Sequence, residues 1–202
     1  MNKDRWLALM SALNFAPSLD CYDELVSAYA EKHRFYHTNK HIEAMLHHFD
    51  AVKNLAEHPA ELELAIWFHD AIYKVFSKTN EFDSAVWAKE FALSNGYGHE
   101  GAERIFNLVM ATQHNEEVQS SDQKLIVDID LSILGASVET YDEFEKNVRK
   151  EYKWVPMFIY RRKRKALLQS FLNAPSIYHL PYFKDKYENA AKNNINRAIK
   201  QL

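Results

Sequence analysis

Four polar side chains occupy predicted helix faces that are otherwise apolar, and their types are those of metal ligands. His69, Asp70 and Asp130 each have mostly apolar residues three and four positions away, where helical residues share a face. His41 lies on the inward side of another helix, near its N-terminus. A buried imidazole or carboxylate is costly without a partner. Because imidazoles and carboxylates together suit a mixed nitrogen and oxygen site, these four residues predict a centre for a divalent metal.

Two aspartates compete for the last ligand position. The neighbours of Asp130 at those spacings are all apolar, whereas those of Asp128 include Lys124 and Ser132. The 3.6-residue period places the two carboxylates about 200° apart around the helix, so one ion readily reaches only one of them. We therefore assign Asp130 as the ligand and expect Asp128 to point elsewhere.

The elements that must position these residues are predicted to be α-helices throughout. The 202 residues include only four glycines and five prolines, too few for the frequent turns of an all-β protein. No glycine-rich phosphate loop occurs either. Apolar residues recur at helical spacing in successive segments. The predicted helices span residues 3–15, 19–32, 39–56, 59–74, 81–95, 99–114, 121–134, 139–152, 156–172 and 181–201, with Thr38 and Asn80 as N-caps.

Composition excludes several other classes of protein. Hydrophobic residues make up 47% and charged residues 26%, as in a folded soluble domain, and the net charge of −3 is unlike that of a strongly basic nucleic-acid binder. The single cysteine, Cys21, excludes an internal disulfide and a cysteine-rich zinc site. No apolar run suits a signal peptide or a membrane span. We expect a cytoplasmic protein that binds neither membrane nor nucleic acid. The basic run 161–165 is interpreted mainly as a solvated helix face, with a contact for an anionic ligand as the alternative.

The order His, His-Asp, Asp on successive helices resembles the HD superfamily of metal-dependent phosphohydrolases. A closer resemblance, to a bacterial group of predicted HD phosphohydrolases, covers most of residues 34–195. The strings that carry it are RFYHTNKHI, AIWFHDAIY, NEFDSA, DIDLSILG, VRKEY and the C-terminal pair IYHLPYF and YENAAKNNI.

This resemblance implies a fold and a ligand set. The fold is a single all-α, HD-type domain over 1–202, with a core of about 34–135 on which helices 1–33 and a C-terminal helical extension, 136–202, pack. The metal ligands are His41, His69, Asp70 and Asp130, in agreement with the helix faces. The ion is manganese, iron, cobalt, nickel, zinc or magnesium, because no soft sulfur ligand is present.

The implied activity is hydrolysis of a nucleotide or another small phosphorylated metabolite by a metal-activated water. Several HD nucleotidases carry a glutamate directly after the HD pair, whereas Ala71 follows it here, and Glu81 is the nearest carboxylate that could position the water. We expect Glu81, His114 and Asp70 to be the catalytic groups, with His114 alternatively binding phosphate or a second metal. The candidate phosphate contacts are Arg34, Tyr36, Lys40, Lys74, Lys78 and Arg164.

Two other functions stay open. The missing glutamate after the HD pair favours a non-catalytic metal-binding or nucleotide-binding regulatory protein. A di-iron oxygenase, which ranks lower, would need His114 and another ligand at a second metal. The oligomeric state is left open between a monomer and a homodimer. Trp154, Phe158 and Tyr160 are interpreted as core residues, with a dimer face as the alternative.

Overall fold

The computed structural model describes residues 1–114 and 118–202, and in these ranges the chain forms helices and no strand. This confirms the all-α class, and each predicted helix has a counterpart. The α-helices are α1 (Lys3–Ala12), α2 (Leu19–Tyr29), α3 (Asn39–Val52), α4 (Pro59–Phe68), α5 (Asn80–Ser94), α6 (His99–Ala111), α7 (Ser121–Asp130), α8 (Val138–Glu151), α9 (Met157–Asn173) and α10 (Pro181–Gln201). Short 3-10 helices follow α3 (Lys53–Leu55) and α7 (Leu131–Gly135). Among the helices described, none has the length and apolar character to cross a bilayer.

The chain divides into two compact units, residues 1–127 and 128–202. The C-terminal elements contact mainly each other: α10 packs along the 3-10 helix Leu131–Gly135 and along α9. The single domain over 1–202 stays a prediction from the sequence.

The first unit is built around α4, which is buried on all sides. Every residue from 61 to 68 is buried, and α1, α3, α5 and α6 pack against this helix. Aromatic rings fill the space around it, with Trp6 and Trp67 centred 5.2 Å apart and Phe68 and Phe91 5.5 Å apart. Because close-packed cores resist displacement, α4 provides a rigid base for the HD pair at its C-terminal end.

Buried acids in α4 are paired with arginines from other helices. Glu61 accepts hydrogen bonds from Arg104, at 2.7 and 2.8 Å, and from the Tyr97 hydroxyl at 2.7 Å. Glu63 accepts a bond of 2.8 Å from Arg5. These partners satisfy the two carboxylates, which would otherwise make burial of this face costly.

Two local predictions around the HD pair are wrong. Helix α4 ends at Phe68, not near residue 74, because the backbone groups that follow bond to side chains from elsewhere, including the amide of Ile72 to the Ser84 hydroxyl at 2.9 Å. Asn80 is the first helical residue rather than the N-cap of α5. Its side chain bonds both the amide and the carbonyl of Lys74, at 3.0 Å each, and so closes the loop 74–80.

In the second unit, α10 lies very close to the 3-10 helix. A Cβ atom at Gly135 would come within 2.6 Å of the Tyr187 Cβ, so only glycine fits this contact. The Asn194 amide donates to the carbonyls of Leu134 and Ala136, at 3.0 and 2.9 Å. Glycine at 135, predicted to end its helix, therefore also permits the close approach of α10.

Candidate metal centre

Three of the four predicted ligands meet in the first unit, where the start of α3 faces the end of α4. The Nε2 atoms of His41 and His69 lie 3.1 Å apart. The Asp70 carboxylate lies 3.1 Å from His69 Nε2 and 3.8 Å from His41 Nε2. Ligand atoms about 2.1 Å from one ion, at tetrahedral or octahedral angles, are about 3.0–3.4 Å apart. The two distances of 3.1 Å fall in this range and the 3.8 Å between Asp70 and His41 lies above it, so the three side chains are spaced close to the ligand positions of a single ion.

The ring of His69 is oriented so that its Nε2, and not its Nδ1, faces His41 and Asp70. Its Nδ1 lies 2.9 Å from the Ile66 carbonyl, which can only accept a hydrogen bond. The ring therefore carries a proton on Nδ1 and presents the lone pair of Nε2, the arrangement that metal-binding histidines usually have. A hydrogen bond between the two imidazoles explains one short distance, but it does not explain why a carboxylate lies beside both.

The electrostatic surroundings keep Asp70 ionised. Burial opposes its charge, but the imidazoles of His69 and His37 outweigh that effect and hold the pKa of the carboxyl below its ordinary value. Asp70 is thus an anion at neutral pH.

Arg34 holds the backbone that carries Asp70 and is not positioned as a free phosphate contact. The residue is 5% exposed, and its guanidinium lies between the rings of Tyr29 and Tyr73. It donates to the carbonyl of Asp70 at 2.6 Å and to that of Ala71 at 2.9 Å. The sequence predicted Arg34 as a substrate contact. In the structure it also donates to the Glu31 carboxylate at 3.0 Å and to the His37 carbonyl at 3.3 Å, so its donors are used within the protein and we assign it a positioning role.

Tyr29 supports the same turn from the other side. Its hydroxyl donates to the Trp67 carbonyl at 3.0 Å and accepts from the Asp70 amide at 3.3 Å. Together with Arg34 it fixes the end of α4, where the carbonyls have no partner within the helix. These contacts set the direction in which the Asp70 side chain leaves the backbone.

Replacement of Arg34 by methionine is expected to weaken metal binding by about 10–100-fold, the usual cost of losing an outer-shell partner. Arg34→Lys, which keeps the charge but cannot bond both carbonyls at once, should lose most of the same affinity. Metal affinity is measured by titration of the metal-free protein, with thermal unfolding recorded in parallel.

Arg104→Met is the matched control. Arg104 lies in α6 and pairs with Glu61 near the start of α4, at the end away from Asp70. This control should lose stability and keep its metal affinity. Wild-type affinity in both Arg34 variants would show that Arg34 only stabilises the fold.

Asp128 and Asp130 of α7 have different surroundings, and those of Asp128 are not the ones expected. Asp128 is completely buried rather than on a mixed face, and it accepts hydrogen bonds from the amides of His179 and Leu180, at 2.8 and 2.7 Å. The His179 ring nitrogen lies 3.0 Å away. Burial raises the pKa of Asp128, although these donors oppose the effect. Asp128 thus anchors the start of α10 within the second unit. Asp130, the last residue of α7, is half-buried and also belongs to the second unit.

Glu81 lies in the electrostatic neighbourhood of the HD pair. It is the second residue of α5, and burial raises its pKa above 4.5, with the charge of Asp70 adding to the effect and His114 and His37 opposing it. His114 is exposed, with a φ of 57°, three residues after the end of α6. The charges of Asp70 and His114, the other two predicted catalytic groups, therefore both act on Glu81 in the first unit.

His37 is a candidate that the sequence analysis missed. Its ring stacks on Tyr73 with centroids 4.4 Å apart and meets the His41 ring edge-on at 6.0 Å. It also contributes to the low pKa of Asp70. The available signal was its spacing, four residues before His41, but His37 precedes the first residue of α3 and so lay outside the helical pattern.

The predicted phosphate contacts separate into two groups. Tyr36 is half-buried with its ring 4.8 Å from that of His41, and the lysines Lys40, Lys74 and Lys78 are exposed in the first unit. Arg164, in contrast, belongs to the second unit and makes a two-pronged ion pair with Glu145, at 2.6 and 3.1 Å. Because this pair already satisfies the guanidinium, we leave Arg164 out of the proposed site.

Comparison with protein-family models, with curated proteins and with solved structures gives no match. The HD assignment therefore remains a resemblance in the sequence motifs, and any function has to be argued from the side chains themselves.

Proposed function

We propose that the protein is a metal-dependent phosphohydrolase that acts on a nucleotide or another small phosphorylated metabolite. The observation that carries the proposal is the convergence of His41, His69 and Asp70, whose ligand atoms lie 3.1–3.8 Å from one another. Asp130 is proposed as the fourth ligand from the motif and from its helix face. A mixed nitrogen and oxygen set of this kind suits divalent ions from manganese to zinc.

When bound, the metal supplies a more acidic water and neutralises charge at phosphorus. In the proposed reaction the water oxygen bonds to phosphorus while the bond to the leaving oxygen breaks. Glu81 accepts the proton of the water, and His114 donates a proton to the leaving oxygen. Lys40, Lys74 and Lys78 neutralise the phosphate charge. Arg34 and Tyr29 keep the Asp70 carboxylate in place through the turn that they hold.

The proposal is tested with the purified protein, loaded separately with manganese, cobalt, nickel and zinc, on a panel of nucleotides and sugar phosphates. We expect about one ion per chain, release of inorganic phosphate from at least one class of substrate, and loss of that activity on chelation. Two irons per chain with visible colour in the protein as purified, before any metal is loaded, would support the oxygenase alternative. Verified metal without turnover on the whole panel would favour the regulatory binding protein.

A further inference from the structure

The second unit exposes a group of large apolar side chains where α9 begins. Trp154 is 76% exposed, Phe158 75% and Met157 47%. The sequence analysis interpreted Trp154 and Phe158 as core residues, which is wrong; of the three aromatics only Tyr160 is buried. Apolar groups of this size in neighbouring positions are uncommon on a surface that meets only water.

Positive charge continues from this apolar group along one face of α9. Phe158, Arg161, Arg162 and Lys165 follow the spacing i, i+3, i+4 and i+7, which places them on one side of a helix. All four are exposed, and within residues 1–114 and 118–202 the three cations make no ion pair with a carboxylate. Tyr160 and Leu168 of the same helix are buried, and Arg164 pairs with Glu145.

Acidic residues are missing from this part of the chain. Residues 152–184 contain seven lysines and arginines and no aspartate or glutamate, although the whole chain carries a net charge of −3. The basic surface is therefore local. Its electrostatic field would orient this side of the second unit toward a negatively charged surface.

We propose that the α9 face, defined as Trp154, Met157, Phe158, Arg161, Arg162 and Lys165, docks on the surface of an anionic phospholipid bilayer. Tryptophan and phenylalanine are stable at the level of the lipid headgroups, with their apolar parts toward the acyl chains. Long basic side chains beside them reach negative headgroups. The sequence analysis expected no membrane contact because no apolar run in the sequence is long enough to span a bilayer, but a peripheral contact of this kind needs no such run.

Other occupants fit the same surface less well. In a symmetric dimer through this face, both copies would place the same patch in the contact, which would bring the three cations of each copy, Arg161, Arg162 and Lys165, into one interface. A nucleic acid would use the cations and the aromatic rings but not Met157, because base stacking needs flat partners. A bilayer interface accommodates the apolar and the basic residues together.

The experiment is co-sedimentation of the full chain with unilamellar vesicles, made either of phosphatidylcholine alone or of equal parts phosphatidylcholine and phosphatidylglycerol. We expect binding to the anionic vesicles only, weakening as salt is raised from about 0.05 to about 0.5 M because the contact is partly electrostatic. Trp154 is the exposed tryptophan, since Trp6 and Trp67 are fully buried and Trp87 is half-buried. Anionic vesicles should protect the exposed tryptophan fluorescence from iodide.

Two sets of substitutions separate the contributions. The first is a triple variant that combines Arg161→Gln, Arg162→Gln and Lys165→Gln. It should bind anionic vesicles about 100-fold more weakly, because each cation near an anionic surface accounts for about a fivefold effect. Trp154→Ala with Phe158→Ala should weaken binding at least about tenfold. The matched controls replace exposed residues elsewhere: Lys3, Lys32 and Lys200 by glutamine for charge, and Phe76, 72% exposed, by alanine for apolar area. Both controls should bind as the wild type does.

The outcomes that overturn the proposal are specific. Failure to sediment with anionic vesicles at low salt rejects it, as does equal binding by the substituted and control proteins. Binding of a single-stranded oligonucleotide that excludes anionic vesicles would assign the face to nucleic acid. A dimer that dissociates when Trp154 and Phe158 are replaced, without vesicle binding, would assign it to a second copy.

Discussion

Replacement of His69 by alanine should leave the protein folded but nearly free of metal. His69 is the central residue of the proposed site, with its Nε2 3.1 Å from the Nε2 of His41 and 3.1 Å from the Asp70 carboxylate. We expect metal affinity to fall by more than about 100-fold, since loss of an outer-shell partner alone costs 10–100-fold. Turnover should fall with occupancy, because the attacking water loses its activation. Metal content by elemental analysis, together with phosphate release, checks both expectations.

The control for this variant is His47→Ala, an exposed histidine of α3. It should keep full metal content, since its side chain lies on the solvent side of the helix that carries His41. Full occupancy in both His69→Ala and His41→Ala would contradict the proposed site and assign the short distance between the imidazoles to a simple hydrogen bond.

The choice between the aspartates of α7 is tested by the same measurement. Asp130→Asn should lose metal. Asp128→Asn should keep it and lower the free energy of unfolding of the second unit by about 1–3 kcal/mol, because at least one buried amide of His179 or Leu180 loses its acceptor. Loss of metal in Asp128→Asn with retention in Asp130→Asn would reverse the assignment.

Helical periodicity was sufficient to predict the fold class and the approximate position of each helix. The apolar faces of α3 and α4 also identified His41 and His69 as buried polar residues. Both predictions depend on neighbours three and four residues away, which the sequence displays directly. This is why the most local features of the site were also the most predictable.

Contacts between distant segments explain what the sequence could not provide. Arg34 bonds the carbonyl of Asp70, 36 residues later, and Asp128 bonds the amide of His179, 51 residues later. Nothing in a helical pattern predicts such partners. Burial of an aromatic residue likewise depends on whether another element packs over it. Trp154 is a large aromatic residue of the kind found in protein cores, yet it is exposed.

Replacement of Glu81 by glutamine should lower turnover by about 10²–10⁴-fold, the range for a general acid–base group, with fold and metal content retained. The physical reason is that glutamine keeps the shape of the side chain but cannot accept the proton of the attacking water. Burial raises the pKa of Glu81 above 4.5. Because the carboxylate form is the active base, wild-type turnover should fall as the pH decreases through that raised pKa, and the Gln variant should lack this acidic limb.

Asp83→Asn is the matched control, because Asp83 is the other acid in the first turn of α5, where the Thr79 hydroxyl donates to it at 3.0 Å. Both acids favour the N-terminal end of the helix dipole by about 0.3–1 kcal/mol, so both variants should lose similar, small amounts of stability. Only Glu81→Gln should lose turnover and the acidic limb. Turnover within a few-fold of wild type, with the limb unchanged, would assign Glu81 to the helix alone and leave the proton acceptor to be sought at His37 or His114.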